Sequence, residues 1–402
     1  MNLPRRLQFA FALCSALTSL VAQTSVAEPL PCAAGWRAER IHQADGGVWY
    51  VQVASVVEQL GQPEVICCDD KGRFVVLTVY SGQWTEHAVT GDGLWLAPSR
   101  PADVDARVAG NELYAAGRGG SVFQVTRRDL PFARFVFEAN EIGHVAGEEF
   151  HAILAADLMP GGAVRDELLT FGVTGAAYQV LQGVDGAMGM RKVAQLPGRV
   201  RDVVVLPGEG ELATMVGASR SGHLLRMRLG ADGLQHDSVH REDSGLGRVA
   251  LGREPGVVYA TRDDGVLVRY QLGADASLVA REVIYVGGPG LRGVAAGRFF
   301  ADGREAVAVY GYDKRVHMVT RRDGDGGGWQ VETIWQGAQR GHWLTVAELD
   351  GRNATDELVA SGFDGMVVLL SRPPGEGLPG AAVPDEERAP AEAPRRAPTS
   401  GR

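Results

Sequence analysis

A degenerate unit recurs about every 50 residues along this chain, and that period constrains the fold more than any single residue does. The clearest copy runs from Gly341-His342-Trp343-Leu344-Thr345-Val346-Ala347 through Asp356-Glu357-Leu358-Val359-Ala360-Ser361-Gly362-Phe363-Asp364-Gly365 to the run Met366–Arg372. Every copy is marked by a tight turn: Asp70-Lys71-Gly72, Gly117-Arg118-Gly119-Gly120, Val173-Thr174-Gly175, Arg220-Ser221-Gly222, Asp263-Asp264-Gly265, Asp313-Lys314 and Asp364-Gly365. An alternating or apolar run follows each turn, from Phe74-Val75-Val76-Leu77 in the first copy to Val367-Val368-Leu369-Leu370 in the last. Gly and Asp at a two-residue connection supply the positive φ that a tight hairpin needs. A unit of two or three short strands cannot bury its own apolar face, so units must stack, and about 45 to 50 residues is the length of a four-stranded propeller blade. Seven turns predict an all-β fold, a seven-bladed β-propeller of four-stranded blades.

Three segments match one another as outer strands: Gly82–Val89, Gly328–Ile334 and Gly35–Ile41. The third precedes the first full unit, while the last unit ends at Arg372 without an outer strand of its own. Residues 35–43 are therefore expected to pair onto the strand at 366–371, closing the last blade and removing an exposed edge. Trp36, Trp84 and Trp329 recur at one place in these segments, which reads as packing between blades.

The first 27 residues read as a signal peptide: Arg5-Arg6, the apolar stretch Leu7–Val21, and the small-residue site Ser25-Val26-Ala27 before Glu28. The mature product is expected to be exported, to the periplasm, the extracellular space or the cell surface, with no transmembrane segment and as a monomer. An anchor through Cys14 is the alternative. The propeller then occupies 28–372, and the Pro/Ala/Glu/Arg-rich stretch 373–402 reads as a disordered tail. With 40 basic against 49 acidic residues and a net charge of −9, the chain would repel a phosphate backbone, so nucleic acid is excluded as a partner. Cys32, Cys67 and Cys68 remain after cleavage. Cys32 bridged to Cys67 or Cys68, a vicinal Cys67–Cys68 bond, and a metal or redox role all stay open.

The segment Glu348-Leu349-Asp350-Gly351-Arg352-Asn353-Ala354-Thr355-Asp356-Glu357-Leu358-Val359 resembles the aspartate-rich loop and strand of FG-GAP/VCBS-type repeats, the units of integrin-like propellers. Weaker echoes are Ala156-Asp157-Leu158 with Asp166-Glu167-Leu168-Leu169, and Ala296-Gly297-Arg298-Phe299 with Asp302–Val307. In that family the loop binds calcium, which implies Asp350 and Asp356 as ligands here. Arg352 stands where a third carboxylate belongs, and a guanidinium cannot ligate a hard cation. The expectation is no cofactor, with calcium at Asp350 and Asp356 as the weak alternative.

Residues opening the inner strands share one rim with the seven turns. That rim offers Trp49, Tyr50, Trp95, His151, Arg201, Arg248, Arg292, His342 and Trp343 from the strands, and Asp70, Lys71, Arg118, Arg220, Asp264, Asp313, Lys314 and Asp364 from the turns. Aromatic planes with arginines around a concave mouth suit a protein or carbohydrate ligand, although the same aromatics can plug the channel. The sequence carries no Gly-x-Ser-x-Gly and no Gly-x-x-x-x-Gly-Lys phosphate loop. The leading expectation is a non-catalytic binding propeller. The alternative is a propeller enzyme, a polysaccharide lyase or hydrolase, using His151 and His342 with a carboxylate or with a metal, for which His144 is the nearest third ligand.

Overall fold

The computed structural model describes residues 23–56, 63–80, 83–89, 96–105, 107, 112–130, 134–159, 166–183, 185–208, 212–322, 328–349 and 355–373. These residues form seven antiparallel sheets arranged as the blades of a β-propeller, five of them four-stranded and two with a fifth strand. Among the described residues there is no helix, hence none long and apolar enough to cross a membrane. The inner strands, lining the axis in chain order, are Val48–Ala54, Leu96–Ala102, Phe150–Ala156, Val200–Val205, Leu246–Leu251, Leu291–Ala296 and Gly341–Ala347.

Closure follows the expected clasp. Arg37–Gln43 lies antiparallel to Met366–Ser371, with Ala38 opposite Leu370 and Gln43 opposite Met366. Glu28–Leu30 adds a further strand outside it. Gln23–Val26, inside the segment read as a leader, pairs with the outer strand Gln83–Ala88 of the first blade. His42 on the clasp strand reaches Glu86 of the first blade at 3.1 Å, and Arg73 holds the same carboxylate at 3.0 Å.

The apolar core is divided into clusters, each lying between two adjacent blades rather than within one. Ile41, Trp343, Val359 and Val367 of the seventh blade meet Val48, Tyr50, Val65 and Trp84 of the first. Leu169, Phe171 and Leu154 of the third blade likewise meet Val203, Met215 and Leu225 of the fourth. A blade buries both faces only when both neighbours are present, which is why the repeat needs a closed ring. Trp36 and Trp84 are buried in two of these clusters, and Trp329 packs at the edge of a third.

The cysteines fall to the same division. Cys67 faces the core between blades seven and one, Cys68 the core between one and two, and Cys32 the core between six and seven. All three are free thiols, so neither disulfide considered from the sequence forms. Cys32 instead donates its S–H to the Trp36 carbonyl, 3.0 Å away.

The turn between second and third strands repeats in all seven blades. It is a three-residue loop in six of them rather than the two-residue connection expected. Its third residue donates its N–H three residues back, as Gly222 does to Ser219 at 3.0 Å, and has positive φ. That residue is glycine in six blades and Lys314, at φ 70°, in the sixth. At Gly222 a Cβ would lie 2.4 Å from the Glu242 carbonyl oxygen.

At the opposite end, four blades open their second strand with a buried or half-buried glutamate: Glu64, Glu112, Glu167 and Glu357. Each accepts N–H bonds from the loop after the inner strand, at 2.7 Å from Val56, 3.2 Å from Val104, 2.7 Å from Leu158 and 2.8 Å from Leu349. The carboxylates satisfy loop donors that no strand partner reaches. Asp166 and Asp356, one residue earlier in their blades, bridge to the preceding blade. The Asp356 N–H donates to the Arg298 carbonyl at 2.8 Å, and its carboxylate accepts the Arg298 N–H. Asp166 does the same with Asp103, at 3.1 Å in both directions.

Candidate functional site at the channel mouth

Every inner strand slips register as it opens. The irregularities fall between Val48 and Tyr50, Leu96 and Ser99, Phe150 and Ala152, Val200 and Asp202, Leu246 and Val249, Leu291 and Gly293, and Gly341 and Trp343. A bulge leaves a residue unpaired and re-aims its side chain. The residues passed over include Trp49, His151, Arg201, Arg248, Arg292 and His342, so the side chains expected at the rim are those that the bulges release.

A second ring comes from the first residue of each turn, fixed beside the strand opening by its backbone. The N–H of Arg220 donates to the Arg199 carbonyl at 2.9 Å, that of Asp263 to Gly245 at 2.8 Å, and that of Phe363 to Arg340 at 2.9 Å. This ring brings Arg118, Arg220, Asp263, Tyr312 and Phe363 to the mouth. The sequence reading had placed Asp264, Asp313 and Asp364 there, one residue too late. Those carboxylates instead serve the turns: Asp364 accepts the Met366 N–H at 3.2 Å and the Ala338 N–H at 3.1 Å.

The two rings assemble one aromatic cluster. Trp49 lies 4.9 Å from the His342 ring and 5.3 Å from Phe363, and Phe363 is 6.1 Å from Tyr312. Cations cover its faces: Arg118 over Trp49 at 5.7 Å, Arg292 over Tyr312 at 5.2 Å and Arg340 over Tyr312 at 5.0 Å. His342 is held by its Nδ1, 2.6 Å from the Trp49 carbonyl, which makes that nitrogen the donor and leaves Nε2 without the proton. Burial and the nearby Arg248 push its pKa down to about 3, so the ring is neutral. His151 is also driven well below its ordinary value, by burial first and then by Arg248, Arg199 and Arg201.

Trp343 and Tyr50 take a different position from the one expected. Tyr50 is fully buried, its hydroxyl donating to Gln52 at 2.6 Å, and its ring meets Trp343 edge-on at 4.7 Å. Trp343 is 8% exposed and has the Arg248 guanidinium over its face at 4.1 Å. Together they form a septum. Above it lies a cavity of about 50 Å³ lined by Trp49, Arg118, Glu149, His151, Arg199 and His342; below it the channel widens to about 410 Å³ among Leu154, Val203, Ala250 and Val346. Trp95 and Asp350 lie outside the described residues.

The mouth is cationic although the chain is acidic. Arg118, Arg199, Arg201, Arg220, Arg248 and Arg292 repel one another there. Glu149 answers Arg118 at 3.2 Å, and Asp263 is shared between Arg201, at 2.7 Å, and Arg292. Asp202 faces Arg248, but its oxygens already accept the N–H groups of Val203 and Val249, at 3.0 and 3.2 Å. Arg248 donates to the Arg201 carbonyl at 2.7 Å. Burial, with the neighbouring guanidiniums, pulls Arg248 down to about 9 and Arg199 to about 10. Arg199 and Glu149 were missed in the sequence because they precede the strand openings.

His144, considered as a third metal ligand, sits on an outer strand, exposed and 3.0 Å from Ser121 Oγ, and does not join the mouth. Among the described residues no three His, Cys, Asp or Glu side chains gather as a metal site.

The fold is shared widely among solved structures. The chain is similar to BBS1N, solved in complex with ARL6DN, at 10% identity over 87% of this chain and 98% of that one, with a TM-score of 0.57. It is similar to the WD40 β-propeller domain of Doa1 at 14% identity, 85% and 98% coverage and a TM-score of 0.55. The β-propeller domain of Cps50 (Swd1) from Myceliophteria thermophila matches at 12% identity, 86% and 100% coverage and a TM-score of 0.54. No family model and no curated protein matches the sequence.

Proposed function

We propose that this chain is an exported, non-catalytic β-propeller that binds a protein partner through the rim of its channel mouth. The observation that carries this reading is the pair of rings. Bulged strand openings and first turn residues from successive blades converge on one end, where Trp49, Phe363 and Tyr312 are half-buried beside Arg118, Arg292 and Arg340. Half-buried aromatics backed by arginine are the composition of interface hot spots. BBS1N, a propeller of the same architecture, is recorded in complex with a protein. Export rests on Arg5-Arg6, the apolar stretch to Val21 and the site before Glu28. The FG-GAP/VCBS repeat type rests on the Asp-Glu-Leu openings at 166–168 and 356–358.

A protein is favoured over a carbohydrate because the mouth cavity, at about 50 Å³, is too small for a sugar ring, whereas side-chain tips fit it. The enzyme reading is disfavoured by the surroundings of His151 and His342: a metal cation would enter among Arg199, Arg201 and Arg248. The immobilised mature chain, probed with exported proteins of its source and in parallel with a glycan array, tests the proposal. Capture of a protein by the native chain and not by Trp49→Ala supports it. Binding confined to glycans, or capture that ignores Trp49, contradicts it.

A further inference from the structure

We propose that the small cavity above Trp343 is an oxyanion site that takes one carboxylate from an acidic segment of the partner protein. This rests on the rim-binding reading and specifies what the partner presents.

Three residues that line this cavity each carry a buried nitrogen with no hydrogen-bond partner: Nε of Arg199, Nε of Arg248 and Nδ1 of His151. Arg248 is itself 6% exposed. A buried donor without a partner is costly, and an incoming acceptor recovers that cost. A guanidinium nitrogen can only donate, so the group that completes the site must accept, and neutral His151 can donate alongside if its proton sits on Nδ1. The nearby acids do not fill this role. Glu149 is held by Arg118 and Asp263 by Arg201 and Arg292. An anion is thus attracted where a cation is repelled, and the Trp49, Tyr50, Phe150 and Trp343 rings on the remaining wall limit solvent screening of the charge-assisted bond. The volume of about 50 Å³ sets the size: a carboxylate tip enters and a sugar ring does not. In a chain of net charge −9, a cationic mouth also orients an acidic partner toward this end.

The test is calorimetric titration of the full mature chain, at constant ionic strength, with an acetylated and amidated peptide carrying one glutamate, its glutamine counterpart, and glucuronate. We expect single-site saturation by the glutamate peptide, weakened about tenfold or more by the glutamine exchange and by Arg199→Gln. Arg199 is half-buried and outside the interblade cores, so its variant should melt as the native chain does, which keeps the test valid if Arg248→Gln fails to fold. Equal binding of the two peptides, no binding of either, or an unaffected Arg199→Gln overturns the site. Glucuronate binding more tightly than the glutamate peptide overturns the protein source. A partner still captured through Trp49 without anion discrimination sinks this proposal and leaves the rim reading standing.

Discussion

Arg248 lies over the face of Trp343, its guanidinium carbon 4.1 Å from the ring centroid, and the pair closes the channel beneath the mouth. The tryptophan supplies the septum and the arginine its charged upper surface. Trp343 therefore belongs to the core, with Tyr50 and Val359, while Trp49 belongs to the rim.

That division predicts opposite phenotypes. Trp343→Ala should cost about 3 to 5 kcal/mol of stability, as truncation of a buried aromatic does. Trp49→Ala, at a half-buried position, should cost about 1 kcal/mol or less. Chemical denaturation of both variants beside the native chain measures the difference; equal losses would place the two rings in one environment.

The seven turns make a second comparison within one molecule. Gly222→Ala puts a Cβ 2.4 Å from a backbone carbonyl at φ 86° and should destabilise by about 1 to 3 kcal/mol. Lys314, at φ 70° in the equivalent place, already bears that strain. Lys314→Gly should be neutral or stabilising by up to about 1 kcal/mol, because relief of αL strain outweighs the added freedom of the unfolded chain. Thermal melts that rank the two substitutions the other way would refute the turn assignment.

Acid should loosen the joint between blades four and five. Glu242 is buried there, and burial alone would raise its pKa. Arg281 at 2.7 Å, Tyr270 at 2.6 Å and Arg262 together outweigh burial and bring it down to about 2. A depressed carboxylate contributes stability above its unfolded value near 4.5 and loses it as pH falls toward about 2. Glu242→Gln should therefore be less stable by about 3 kcal/mol at pH 7, with the gap to the native chain narrowing through this window. A gap independent of pH would show that the carboxylate is not the titrating group.

Calcium should matter little. The Asp356 carboxylate already accepts the Arg298 N–H across the blade boundary, which ties it to packing rather than to a cation. Chelator is expected to leave the melting temperature unchanged. A drop that calcium restores and magnesium does not, worth about 3 kcal/mol for a ligand well above its dissociation constant, would revive the site at Asp350 and Asp356.

The blade count and the clasp were legible because both are written in local pattern. Gly222, Gly265 and their counterparts mark turns by conformation alone, and Gly35–Ile41 matches other outer strands by composition. The rim was legible in its strand openings, since Trp49, His151, Arg292 and His342 stand at one repeat position, which the structure resolves as a bulge. Three things were not legible. Phe363 and Tyr312 were hidden by a one-residue slip within the turn, invisible without the loop length. Trp343 looked like Trp49's neighbour on one platform, but successive residues on a strand face opposite ways once the bulge ends. The separation of Cys32, Cys67 and Cys68 among three cores required the placement of whole blades.

The central claim is tested most directly by measuring the affinity of the captured partner for three variants: Trp49→Ala, Phe363→Ala and, on an outer strand far from the mouth, Val279→Ala, whose side chain is 66% exposed. The account predicts that each rim variant loses about 2 kcal/mol or more of binding, a factor of about 30, with at most a small drop in melting temperature, while Val279→Ala binds as the native chain does. Undiminished affinity in both rim variants, or an equal loss in all three, would contradict it.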